Sequence, residues 1–269
     1  MAFFTTKDGC RLYYQTHGFD SDKPVVAFLN GTTQTAPMWR PQALFFKNEF
    51  RVLCYDARAQ GKSDLGRRAL SIDLHVEDLL SLFTSLHIDR AHLVGLSHGA
   101  QVALAFAALH PQRAARLVLC SVGAEPGPRT LAVVRSWLEI LTTGNLATMG
   151  WAALPIILGE TYLGQNETLL PKMVKALAAR NRKASLLAHL EALLTYPPPS
   201  IHATAVSQPC LVLSGSEDLL NHTASARRLA EMTNAGCEAF DRIGHSVPVE
   251  AAERFNRVCR RFLMEPSAP

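Results

Sequence analysis

The pentapeptide Gly95-Leu96-Ser97-His98-Gly99 places one serine between two glycines. The apolar run Ala91–Val94 precedes it, and the Ala-rich segment His98–His110, closed by Pro111, follows it. A strand that turns abruptly into a helix strains the serine backbone and exposes its hydroxyl at the sheet edge. The flanking glycines let neighbouring backbone pack close. The helix that follows points its N-terminus at the same spot, which favours negative charge. A serine hydroxyl is a weak nucleophile at neutral pH. It needs a histidine to take its proton and an acid to orient that histidine. Asp218 follows the apolar run Cys210–Leu213, and His245 follows Cys237–Phe240, so the order is serine, acid, histidine. Both residues therefore fall in loops at the carboxyl ends of late strands, the edge where open α/β sheets bind ligands. Glu217 and Glu125 are alternative acids, the second because it lies just beyond the strand Leu117–Cys120.

The tetrahedral intermediate of acyl transfer needs hydrogen-bond donors. One is the backbone N–H of His98, directly after the nucleophile. The second is the N–H of Thr32, in the loop Asn30-Gly31-Thr32-Thr33-Gln34 after the run Val25–Leu29, where Gly31 permits the backbone to turn toward the site. The chemistry that follows is attack by Ser97 on an acyl carbonyl with His245 as base and Asp218 holding the imidazole. Water then releases the acyl group.

The elements that must position these residues are legible as a pattern. Ala2–Thr6 and Arg11–Thr16 read as a hairpin around Lys7-Asp8-Gly9. Strands Val25–Leu29, Phe50–Tyr55, Ala91–Val94 and Leu117–Cys120 alternate with helices Met38–Lys47, Ser71–Leu86 and His98–His110, which predicts a mainly parallel sheet with helices on both faces. From Glu125 to Gln208 the strands stop, and the helical candidates are Arg129–Thr142, Leu146–Leu158, Glu167–Ala179 and Lys183–Thr195. Alternation resumes with strand Cys210–Leu213, helix Thr223–Met232, strand Cys237–Phe240 and helix Val249–Leu263. The division is a core from 1–124 and 209–269 with a helical cap from 125–208 over the active-site edge. Met149 and Trp151 of the cap, with Trp39 and Leu96, are candidates to line an apolar substrate pocket, although each also reads as ordinary packing.

Composition removes other classes. The 269 residues are 48% apolar and 19% charged, which excludes disorder. A net charge of +4 is too small and too scattered for a nucleic-acid partner. The one loose basic group, Lys172, Lys175, Arg180, Arg182 and Lys183, reads as a solvated helix face or as a site for an acidic carrier protein or a coenzyme A phosphate. The six cysteines are far apart without a C-x-x-C, so buried free thiols and a cytoplasmic location are expected. Neither a signal peptide nor an apolar run long enough to span a membrane is found in the sequence. No H-E-x-x-H, no phosphate-binding P-loop and no G-x-G-x-x-G after the first parallel strand is present, so neither a metal nor a cofactor is expected.

Taken together, these residues resemble the α/β-hydrolase superfamily, in its capped esterase, lactonase and C–C hydrolase branch. The likeness covers nearly the whole chain. It is carried by Asn30-Gly31, the segment Asp56-Ala57-Arg58-Ala59-Gln60-Gly61-Lys62-Ser63-Asp64, the Ser97 elbow, Gly215 to Asp218, and Gly244-His245. The resemblance implies an α/β-hydrolase fold, a mostly parallel sheet flanked by helices, with the cap inserted after the sixth strand. It implies a serine hydrolase acting on a carboxylic ester, lactone or thioester. In the family the Asp56–Ser63 segment is a structural D-x-R-G-x-G-x-S loop, and Ala59 stands here for its first glycine. Asn30 stands for the usual histidine, as in some acyltransferases of this fold that handle acyl chains on carrier protein or coenzyme A. That acyl transfer, C–C bond hydrolysis and a ligand receptor that keeps the triad are the alternatives. Serine at the elbow sets the chain apart from the dehalogenases and epoxide hydrolases of this fold, which carry aspartate there.

Overall fold

The computed structural model describes residues 2–265; positions 1 and 266–269 of the expected core segments lie outside the described residues. Eight strands form one sheet: β1 (Ala2–Thr5), β2 (Arg11–His17), β3 (Val25–Leu29), β4 (Arg51–Tyr55), β5 (Ala91–Leu96), β6 (Ala114–Cys120), β7 (Cys210–Gly215) and β8 (Gly236–Phe240). Their order is β1-β2-β4-β3-β5-β6-β7-β8. Pairings β1–β2 and β2–β4 are antiparallel, and the other five are parallel. The helices of the core are α1 (Arg40–Phe46), α2 (Ile72–Ser85) and α3 (His98–Leu109). Between β6 and β7 come α4 (Pro128–Thr143), α5 (Leu146–Ile157), α6 (Glu160–Gln165), α7 (Leu170–Arg180), α8 (Lys183–Leu193) and α9 (Ser200–Ala203). The last three are α10 (Thr223–Met232), α11 (Val247–Glu250) and α12 (Ala252–Leu263).

The two faces of the sheet follow from strand periodicity, because successive side chains point to opposite sides. Ala27, Leu29, Leu53, Leu93, Leu117 and Leu119 pack with α2, α3 and α10 on one face. Val26, Phe28, Val52, Cys54, Val94, Val118 and Cys120 pack with α1 and α12 on the other. Since both faces are covered, the central strands read as unbroken apolar runs. Helix α3 is buried on almost every side, and its alanines, Ala100, Ala103, Ala105 and Ala107, let it lie close against the sheet. Helices α4, α5, α7 and α8 share a separate core built on Trp137, Leu141, Met149, Leu177 and Leu190.

Three expected helices differ in form; of these, Glu167–Ala179 is a 3-10 turn, Glu167–Leu169, running into α7. The segment Val249–Leu263 is two helices, α11 and α12, broken at Ala251, where the backbone leaves the helical region at φ −132° and ψ 46°. Met38–Lys47 is a 3-10 turn, Ala36–Trp39, running into α1. All six cysteines are free thiols, five of them buried. Burial pushes the thiols of Cys120 and Cys210 up to about 12, so they stay protonated and inert in the core. No helix among the described residues is long and apolar enough to cross a membrane.

The strand order reverses between β3 and β5: the chain leaves β3 toward β4 and returns through α2 to β5 on β3's other side. Leu29 pairs with Gly95 at this point. The loop after β3 and the elbow after β5 therefore open side by side, in the crevice where doubly wound sheets bind ligands.

Candidate active site

Ser97 sits at φ 53° and ψ −115°, a left-handed conformation that strains any residue other than glycine. The surrounding structure leaves no alternative. The Ser97 N–H donates to the Cys120 carbonyl at 2.8 Å, and the Ser97 carbonyl accepts from the amides of Ala100 and Gln101 as α3 begins. A Cβ on Gly95 would come within 2.4 Å of the Gly99 carbonyl oxygen, and one on Gly99 within 2.3 Å of the Leu29 carbonyl oxygen. Only glycine fits at either position. His98 opens α3, so its backbone N–H has no acceptor within the helix.

Asp218 and His245 come from the loops after β7 and β8. His245 Nδ1 lies 2.8 Å from Asp218 Oδ2, in a contact where both residues are buried. The second carboxylate oxygen of Asp218 accepts the amides of Leu220 at 2.8 Å and Asn221 at 2.9 Å, which fixes its orientation. Two supports of His245 escape a reading of the sequence. Ser121, itself at positive φ just past β6, donates its hydroxyl to the His245 carbonyl at 2.7 Å. Glu250 accepts the amides of Gly244, Ser246 and Gly159 at 3.0, 3.0 and 2.8 Å, tying the histidine loop to the end of α5. Burial pushes the Glu250 carboxyl up, against the pull of those three amides. The alternative acids have other partners: the Glu125 carboxylate accepts the Ser200 hydroxyl, and Glu217 accepts the Glu160 amide at 2.7 Å.

Ser97 lies where two lobes of one cleft meet. Thr32, Ser97, Trp137 and Leu220 line both lobes. The larger holds about 740 Å³ of open space and is walled by His98, Leu131, Val134, Tyr196 and Asn221, among others. The smaller holds about 450 Å³ and includes Leu96, Ala153, Ile157 and His245. No lysine, arginine, aspartate or glutamate is among the residues lining either lobe. One group of three or more side chains placed to hold a metal ion is found among the described residues, His75, His98 and His189.

Of the four residues expected to line a substrate pocket, Leu96 does. The other three are placed elsewhere. Trp39 is a core residue against Phe28, with ring centroids 5.0 Å apart, and its indole N–H donates to Asn30 Oδ1 at 2.9 Å. Met149 is fully buried in the shared core of α4, α5, α7 and α8. Trp151 is 49% exposed on the outer side of α5. Hydrophobicity marks such residues as buried or sticky without saying against what.

The Asn30 side chain is a brace. Its amide donates to the Tyr55 carbonyl at 2.9 Å and to Asp56 Oδ1 at 3.2 Å, and it is absent from the lining of both lobes. Gly31 is not sterically required, because an added Cβ would meet Leu96 at an ordinary 3.5 Å. In the basic group, Lys183 caps the end of α4 by donating to the carbonyls of Thr142 and Gly144, while Arg180 and Arg182 donate to the carbonyls of Ala176 and Ser63.

Known proteins agree with this architecture. Residues 26–258 match the family model described as the alpha/beta hydrolase family. A putative carbamate hydrolase RutD of Caulobacter sp. (strain K31) is 29% identical, with 98% of both chains covered. A 2-hydroxy-6-oxononadienedioate/2-hydroxy-6-oxononatrienedioate hydrolase of Burkholderia vietnamiensis (strain G4 / LMG 22486) is 27% identical over 96% of this chain and 93% of its own. Among solved structures, the enol-lactonase of Burkholderia xenovorans LB400 superposes with a TM-score of 0.90 at 27% identity, over 98% of this chain and all of its own. With an eight-stranded, mostly parallel sheet, a strained serine elbow and a family match across most of its length, the chain belongs to the alpha/beta hydrolase family and is a hydrolase enzyme.

Proposed function

We propose that this hydrolase cleaves an uncharged carboxylic ester, lactone or thioester through an acyl-enzyme on Ser97. The observation that carries the reading is the strained Ser97 elbow opening into a cleft shared with His245, whose ring is held by Asp218 at 2.8 Å. Ser97 Oγ attacks the carbonyl carbon as His245 takes the hydroxyl proton. Asp218 fixes the imidazole and stabilises the imidazolium. The N–H groups of Thr32 and His98 hold the oxyanion. Collapse of the intermediate expels the alcohol, which takes the proton from His245. Water then attacks the acyl-enzyme with His245 again as base, and the acid leaves. Residues 125–208 act as a cap on this chemistry, with 1–124 and 209–269 as the core, because α4, α5 and α8 supply much of the cleft wall. Six free thiols support a cytoplasmic setting.

The neutral lining bears on the alternatives. A dioate substrate such as the one named for the Burkholderia vietnamiensis relative carries two carboxylates, which call for cationic partners. The cleft offers none among its lining residues, so neutral acyl substrates are favoured. A carrier-protein or coenzyme A partner finds little support, since three of the five basic side chains are engaged with backbone carbonyls. A carbamate is the second reading, favoured by the end-to-end similarity to the RutD protein.

The test is a panel of p-nitrophenyl esters of increasing chain length, lactones, carbamates and dicarboxylates, run beside a fluorophosphonate label mapped by mass spectrometry. The label is expected on Ser97. Ser97→Ala should lose turnover by about 10⁴-fold or more while keeping its fold. Labelling elsewhere, or full activity in that variant, overturns the assignment.

A further inference from the structure

Behind the elbow three imidazoles meet in a place with no solvent. His75 on α2, His98 on α3 and His189 on α8 are 0%, 3% and 1% exposed. His98 packs edge to face on both other rings, with centroids 4.7 Å from His75 and 4.5 Å from His189, and the tilted His75–His189 pair is 6.2 Å apart. His75 Nδ1 and both ring nitrogens of His189 have no hydrogen-bond partner; the His98 ring interacts with the Asn30 backbone, and His75 Nε2 lies 3.1 Å from the Tyr196 hydroxyl. Buried polar atoms almost always have partners, so three orphaned nitrogens in one cluster point to an occupant between the rings. One ring nitrogen from each residue lies within 4.8 Å of the others.

We propose that His75, His98 and His189 form a site for a divalent first-row transition metal of the zinc, cobalt or nickel class, which fastens α8 to α2 and α3 directly behind the nucleophile. All-imidazole ligation suits these ions. Burial pushes His75 down to about 3 and His189 to about 4, and it holds His98 well below the usual histidine range. All three are therefore neutral near pH 7, the form that ligates metal. With Nδ1 on the metal, His75 Nε2–H donates to the Tyr196 hydroxyl at 3.1 Å, as metal-bound histidines do to their outer partners. Tetrahedral nitrogens at 2.0–2.1 Å from an ion lie about 3.3 Å apart, so each ring closes by about 1 Å on binding. His98 and Tyr196 line the larger lobe of the cleft, which supplies the entry path. The site sits outside the proposed acyl chemistry, in which His98 contributes its backbone N–H and not its ring. The ligands are 23 and 91 residues apart, so no local motif announces them.

The experiment titrates chelator-treated protein with Co²⁺ and reads the visible d–d bands, with Zn²⁺ added afterwards and His189→Ala as control. The expected result is one cobalt per chain in a tetrahedral spectrum that Zn²⁺ bleaches, and a Tm raised about 5–10 °C by zinc in hundredfold excess over Kd. Both effects should vanish in His189→Ala. If that variant does not fold, the wild-type titration and its zinc competition decide alone. Absence of the bands and of the Tm shift in the wild-type protein overturns the proposal and leaves a buried water as the bridging group. Equal bands in His189→Ala also overturn it, by placing cobalt on the cysteines or elsewhere.

Discussion

Among the described residues, six other than glycine have positive φ, and two of them, Ser97 and Ala59, do so for opposite reasons. Ser97 at φ 53° is strained where the proposed chemistry needs an exposed hydroxyl, and such a conformation typically costs about 1–3 kcal/mol. Glycine relieves that strain but loses the nucleophile. Ser97→Gly is therefore expected to be inactive and yet more stable than the native chain by about 1 kcal/mol, read from urea unfolding. A less stable Ser97→Gly would show that the elbow is not a strain reservoir. Ala59 at φ 69° gains no chemistry from its conformation. It stands for the first glycine of the D-x-R-G-x-G-x-S pattern that the segment resembles, and its N–H donates to the Asp64 carbonyl at 2.9 Å to close the loop. Left-handed backbone costs alanine about 1–2 kcal/mol, partly offset by the extra freedom glycine has in the unfolded chain. Ala59→Gly should therefore stabilise by about 0.5–1 kcal/mol with activity unchanged. The departure from the family pattern at this position is visible in the sequence, while its consequence depends on a φ that only the structure supplies.

At the scale of elements, the loop after β4 braces the loop that carries Thr32. Asp56 accepts the Ala36 amide at 2.6 Å and the Asn30 side chain at 3.2 Å, and the Gln60 amide donates to the Gly31 carbonyl at 3.0 Å. The loop itself is anchored by Arg58, whose side chain is fully buried. Its guanidinium meets Asp78 of α2 at 2.8 and 2.9 Å and Asp8 of the β1–β2 turn at 2.8 and 3.0 Å. Burial pushes the Asp78 carboxyl up against the pull of Arg58, whereas the exposed edge of Asp8 lets Arg58 hold that carboxyl well below its usual range. Removing one member leaves a buried charge short of a partner, which typically costs about 3–5 kcal/mol. Asp78→Ala is expected to destabilise by about 3 kcal/mol in urea unfolding. Arg58→Met/Asp78→Leu should be milder than the sum of its single changes, because no buried charge is left behind. Elements with a clear pattern were legible in the sequence: β3, an unbroken apolar run, and α10, an amphipathic helix, have the expected bounds. The four-residue helix α9 and the six-residue α6 were not, because a single turn shows no period. The break at Ala251 was hidden because Glu250 turns inward to three amides that are distant or adjacent in sequence.

Across the whole molecule, the sheet edge supplies the proposed reacting groups and the helices between β6 and β7 supply much of the space around them. That Ser97, Asp218 and His245 lie at one sheet edge could be read from the sequence, because each follows a strand at a characteristic turn. The wall could not, since apolar residues of residues 125–208 look alike whether they face a helix or the cleft. Trp137, Val134 and Leu131 were indistinguishable there from Met149, which packs inside. Val134 is 7% exposed and lines the larger lobe alone. If that lobe receives the longer arm of the substrate, Val134→Trp should fill it without touching Ser97, Asp218 or His245. A lost hydrophobic contact of one or two methylenes changes kcat/KM by about 10-fold or more. The expected outcome is a loss of at least about 10-fold in kcat/KM for octanoyl esters, with acetyl esters held within about twofold. Equal losses on both would mean that the substitution disturbs the elbow. Equal retention would place the acyl chain in the smaller lobe, beside Ala153 and Ile157. The acetyl ester thus reports on the chemistry of the sheet edge and the octanoyl ester on the helical wall, so the pair separates the two halves of the molecule by function.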